Sequence, residues 1–178
     1  MNGILHRDIS PSNLMVYKNA NGEWIGVLND YDLSSTQQDG PSGNERTGTI
    51  PFMAIDLLKE QALKGNVEHL YRHDAESLIW VLAWVCLRYE DGKLRSNRLL
   101  DEWLGVNAKQ CMKEKTAFLL VTRHDEDPSP SHEVAWDVAQ SCLTHLTFLL
   151  APPQRPTLKD EYVYSTWLEA EVKPRLQD

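Results

Sequence analysis

Apolar positions fall into two regimes along this chain. Up to about residue 50 they come in short runs, Leu14-Met15-Val16-Tyr17 and Trp24-Ile25-Gly26-Val27-Leu28. Both have strand length and strand composition. Asn19-Ala20-Asn21-Gly22 lies between them. Asn-Gly readily supplies the positive-φ residues of a tight turn, so the runs are predicted to pair as a hairpin. The polar stretch from Ser34 to Asn44, with its glycines and proline, reads as a loop. From about Pro51 onward the spacing turns helical, and helices are predicted over 53–63, 73–89, 97–104, 107–121, 131–150 and 158–172. The second is apolar on nearly every face from Leu78 to Leu87, which predicts burial on all sides. It is too short and too closely flanked by charge for a membrane span. Thr157, with Asp160 three residues on, starts the last helix as a capping box variant. The acidic run from His124 to Pro130 reads as a solvated connection. The expected fold class is mainly α with a small β-hairpin region.

Composition narrows the setting. A length of 178 residues fits one domain, and 42% hydrophobic content can build a core. Eighteen Lys and Arg against 26 Asp and Glu leave a net charge of −8. That excludes broad binding to nucleic acid or an anionic membrane, which needs a basic surface. The start, Met1-Asn2-Gly3-Ile4-Leu5, has no signal-peptide core. Cys86, Cys111 and Cys142 are odd in number, widely spaced and without a CxxC pair. They read as reduced thiols of a cytoplasmic or nuclear protein rather than zinc ligands.

Chemistry is concentrated near the start. His6-Arg7-Asp8-Ile9-Ser10-Pro11-Ser12-Asn13 has the form H-R-D-x-x-x-x-N, the catalytic loop of protein kinases. Phosphoryl transfer needs a carboxylate to orient the attacking hydroxyl and take its proton, a place that suits Asp8. It also needs Mg²⁺, which is held by a few side-chain oxygens and phosphate. Asn13 offers an amide oxygen, and Asp30 in Asn29-Asp30-Tyr31-Asp32 a carboxylate. Asn13 precedes the first strand of the hairpin and Asp30 follows the second, so the hairpin should bring them to one point.

Three further pieces follow in order. Gly48-Thr49-Ile50-Pro51-Phe52-Met53-Ala54-Ile55-Asp56 resembles the G-T-x-x-[YF]-x-A-P-E end of a kinase activation segment, with Ile55 in place of Pro and Asp56 in place of Glu. Asp74 opens the apolar helix within Tyr71-Arg72-His73-Asp74-Ala75-Glu76-Ser77. Arg155-Pro156-Thr157 precedes the last helix. As a set these motifs resemble the fungal-type protein kinase family within the protein kinase superfamily, over nearly the whole chain.

The resemblance implies a protein-kinase-like C-terminal lobe and ATP-dependent transfer of phosphate to protein Ser or Thr. ATP and Mg²⁺ would be its cofactors. It makes Asp8 the base, Asn13 and Asp30 ligands for nucleotide-bound metal, and Arg7 a partner for a phosphate or acid. Thr49 would bond near Asp8. Asp74 would receive backbone N–H groups around His6 and Arg7, and Asp56 would pair with Arg155. Ser10 stands where most Ser/Thr kinases carry Lys, and Asp32 where they carry Gly.

A Gly-rich loop, a strand Lys and its Glu would precede the catalytic loop in a kinase, and only Met1 to Leu5 do so here. Residues 1–178 are therefore expected to form one partial kinase domain without the N-terminal lobe, inactive by itself. The alternatives are a non-catalytic pseudokinase or interaction module and, less favoured, a small-molecule kinase. Arg7 stands against the last, since that group usually carries Gly there.

Overall fold

The computed structural model describes residues 4–36 and 48–150. Two compact units divide the chain after Val81, and the described residues are mainly helical, with three two-stranded antiparallel sheets. The predicted helix over 158–172 lies outside the described residues.

In the first unit β1 (Ile4–Leu5) pairs with β4 (Ser35–Thr36), so part of the expected loop is a short strand. The hairpin is present as β2 (Leu14–Lys18) and β3 (Trp24–Leu28), in register from Leu14 opposite Leu28 to Lys18 opposite Trp24. Its turn is held by Asn19, whose Oδ1 accepts from the N–H groups of Asn21 and Glu23 at 2.9 and 3.0 Å. Gly22 closes the turn at φ +83°, a left-handed conformation that costs glycine little. Met15, Val16, Tyr17 and Trp24 are exposed.

The single helix expected over 53–63 is instead two pieces, a one-turn 3₁₀ helix at Ile55–Leu58 and α1 (Glu60–Leu63), with another 3₁₀ turn before them at Ile50–Phe52. Ala54 and Lys59 are extended, with ψ of 143° and 150°, and break the run. The break has a physical cause. Phe52, Met53, Ala54, Ile55, Leu57 and Leu58 are all buried, whereas a regular amphipathic helix would turn some of them to water. The Ile55 N–H also leaves the helical pattern and donates to the Glu76 carboxylate at 2.7 Å.

Helix α2 (Tyr71–Arg88) follows. Ile79, Trp80 and Val81 are at most 5% exposed, but Leu78 is 39% exposed, so burial on every face is corrected at that position.

In the second unit Ala83, Cys86 and Leu87 of α2 are fully buried. Trp103 lies 6.3 Å from Trp84 and 5.5 Å, edge-on, from Phe118. The helix expected over 97–104 is one 3₁₀ turn, Asp101–Trp103, entered through Leu100 at φ +65°. That left-handed residue stops any helix from running through the segment. Arg88 stacks 4.0 Å from the Trp84 ring centre and pairs with Asp101 at 2.6 Å. A second hairpin, β5 (Tyr89–Glu90) with β6 (Lys93–Leu94), turns on Asp91-Gly92, both at positive φ. Helices α3 (Ala108–Leu120) and α4 (Glu133–Leu150) complete the described part. None of the described helices is long and apolar enough to cross a membrane.

Candidate functional site

The site lies wholly in the first unit, where residues 6–13 link β1 to β2. Asp74, in the first turn of α2, shapes this link. Its carboxylate is buried and accepts from the backbone N–H groups of His6 at 2.7 Å and Arg7 at 3.1 Å. His69 Nε2 is 2.8 Å from the same carboxylate. Three donors thus satisfy a buried carboxylate that would be costly to leave unpaired.

His6 is 3% exposed, and its ring ties the loop carrying Asp8 to the segment after β3. Nε2 lies 2.9 Å from the Asn29 carbonyl, which can only accept, so Nε2 carries the proton. Nδ1 is then the acceptor for the Asp8 N–H at 3.4 Å. The Tyr31 ring meets His6 edge-on at 4.9 Å. Arg7 sits at φ +72°, a conformation that costs a non-glycine residue and persists where surrounding bonds impose it. Here the bonds of His6 and Arg7 to Asp74 do so.

The Asp8 carboxylate is oriented from two directions. Oδ1 accepts from the Thr49 N–H at 2.9 Å and the Thr49 hydroxyl at 3.0 Å. Asn13 Nδ2 donates to the Asp8 carbonyl at 2.8 Å and to Oδ2 at 3.3 Å. Gly48 makes the Thr49 approach possible. It sits at φ +144°, and a Cβ there would stand 3.3 Å from the Arg7 carbonyl oxygen.

The hairpin brings Asn13 and the Asp30 segment together at its open end. The Asn29 N–H donates to the Asn13 carbonyl at 2.9 Å, and Asp30 follows at φ +61°. Asp30 is exposed, and no hydrogen bond or ion pair among the described residues engages its carboxylate. With its NH₂ turned to Asp8, Asn13 leaves Oδ1 as its open atom. Two hard oxygens therefore remain available at this end of the hairpin, the donor type Mg²⁺ prefers. Ser10 is 1% exposed and bonds Ser12 at 2.8 Å between hydroxyls. Asp32 is exposed.

Asp56 stands beside two basic side chains of the first unit. Its carboxylate meets Lys59 at 2.6 Å and Arg72 at 3.6 Å and is 28% exposed. Burial alone would raise its pKa, but the Lys59 hydrogen bond and charge, with Arg72 and His73, outweigh this and hold it below the usual value. Arg155 lies outside the described residues.

Sequence reasoning missed two groups. Glu76 is 5% exposed, and its Oε1 accepts from the Ile55 N–H and from Trp80 Nε1 at 3.0 Å. The signal was an acid embedded in an apolar helix, which must find donors. His69 carried no comparable signal, since it stands outside any motif and any periodic face.

Among known families, the model of the fungal protein kinases matches residues 1–86, so the first part of the chain is similar to protein kinases. The match runs from the catalytic-type loop through most of α2 and includes Asp8, Asn13, Asp30, Thr49, Asp56 and Asp74. No curated protein matches the chain.

Proposed function

We propose that these residues form the catalytic-loop part of a fungal-type protein kinase, with a protein-kinase-like C-terminal lobe, transferring phosphate from ATP to protein Ser or Thr. The observation that carries the reading is the Asp8 carboxylate held by Thr49 on one side and Asn13 on the other. A carboxylate fixed in this way can orient a substrate hydroxyl and accept its proton as phosphate is transferred. The Thr49 hydroxyl hydrogen points at Oδ1, which leaves Oδ2, with its longer Asn13 contact, as the oxygen for the acceptor proton. Asn13 and Asp30 would hold Mg²⁺ with the nucleotide, and the metal supplies charge neutralisation on the phosphates. Arg7 would meet a phosphate or acid of the activation segment, and Asp56 with Arg155 would tie that segment to the last helix. The net charge of −8 speaks against nucleic acid as a partner. Reduced cysteines support a cytoplasmic or nuclear setting.

The test joins residues 1–178 to a nucleotide-binding kinase lobe and measures transfer to a generic Ser/Thr substrate. Asp8→Asn is expected to lower the rate about 10²–10⁴-fold, the usual worth of a positioned general base. Residues 1–178 alone are expected to show no saturable Mg-ATP binding at millimolar nucleotide. An unchanged rate in the variant would remove Asp8 as the base, and no transfer by the unsubstituted fusion would favour the pseudokinase reading.

A further inference from the structure

We infer that Glu76 is a positioning residue for the Asp8–Thr49 pair, acting through the backbone of Ile55. The inference rests on the kinase reading for its functional meaning, but its geometry stands by itself. Thr49 reaches Asp8 only if the chain between it and α2 is fixed. Near Thr49 the chain closes locally, with the Phe52 N–H donating to the Thr49 carbonyl at 2.8 Å. At the far end it is tied to Glu76, through the Ile55 N–H at 2.7 Å. Between these two bonds Phe52, Met53 and Ala54 are buried, so slack at Ile55 is passed to Thr49 rather than absorbed by solvent.

Glu76 is itself immobilised. It is 5% exposed, and Trp80 Nε1, one helical turn further on, donates to the same Oε1 at 3.0 Å. Trp80 is fully buried. Two acids of one helix therefore hold the two halves of the site. Asp74 grips the link that carries Asp8, and Glu76 grips the segment that carries Thr49. The residue at position 55 makes this possible. A proline there would have no N–H for Glu76 to accept, whereas Ile55 supplies one. Asp56, next in the chain, turns toward Lys59 and Arg72 and does not take this part.

Amide hydrogen exchange on the full 178-residue chain tests the inference without any activity. In Glu76→Leu the Ile55 and Thr49 amides are expected to exchange about tenfold faster or more, while the His6 and Arg7 amides, held by Asp74, keep their protection. Glu76→Gln retains a side-chain oxygen acceptor and is expected to restore Thr49 protection. Should Glu76→Leu fail to fold, Ile55→Pro removes the same bond from the other side. Position 55 opens a 3₁₀ turn after an extended Ala54, which suits proline, and the Thr49 amide is expected to exchange faster there too. Unchanged Thr49 protection in these variants would overturn the inference. So would a uniform loss at His6, Arg7 and Thr49, which marks a merely structural role. Loss of transfer in Asp8→Asn bears on the kinase reading alone, so the two failures are distinguishable.

Discussion

Asp74 shows how much of the site rests on single buried groups. Its carboxylate serves two backbone donors and one imidazole. Asp74→Ala would leave the His6 and Arg7 amides without their acceptor in a largely dry place. The expected cost is about 2–4 kcal/mol, read as a lowered denaturant midpoint with an unchanged slope. A loss below about 0.5 kcal/mol would mean that water takes over both donors. The position of Asp74 was legible because an acid at the head of an apolar helix needs partners. Asp8, Asn13 and Thr49 were legible as motif letters, and the hairpin argument placed Asn13 beside the Asp30 segment. Glu76 and His69 were not legible as site residues, because their partners are backbone or side-chain atoms set by tertiary packing, which no local pattern encodes.

At the scale of elements, strong local signals carried over and weak ones did not. The β2–β3 hairpin follows from two apolar runs around Asn-Gly. Helix α3 follows from its periodicity, and Asn107 caps it, accepting from the Gln110 N–H at 3.0 Å. Asn107→Ala is expected to cost about 1 kcal/mol in chemical denaturation, with Asn107→Ser close to the parent. The segment 53–63 was misread because nearly continuous apolar residues fit a helix by composition alone. Its backbone instead breaks twice and buries every apolar residue from Met53 to Leu58. The segment 97–104 was misread because nothing in its letters announces Leu100 at positive φ. The Asp91-Gly92 turn was a readable hairpin signal between two-residue strands too short to show alternation.

For the molecule as a whole, the three thiols offer a global probe. Cys86, Cys111 and Cys142 are buried and in no disulfide. Burial pushes the Cys86 thiol up to about 11 and raises that of Cys111 as well. Only the thiolate reacts, so the native chain at pH 8 is expected to be nearly silent toward a thiol-specific disulfide reagent. Denaturation should release all three at once. Rapid labelling of the native chain at any one site would show that its part of the core opens far below the global unfolding energy.

The bond from His6 to Asp74 spans 68 residues of sequence. During synthesis at roughly 5–20 residues per second, about 3–14 s separate the two partners. For that interval the loop carrying Asp8 has left the ribosome's active centre with nothing to impose its left-handed turn at Arg7. The Asp8 segment therefore gains this acceptor only after the first turn of α2 exists. A nascent chain halted before Tyr71 would carry the entire loop sequence without the carboxylate that sets its turn at His6 and Arg7.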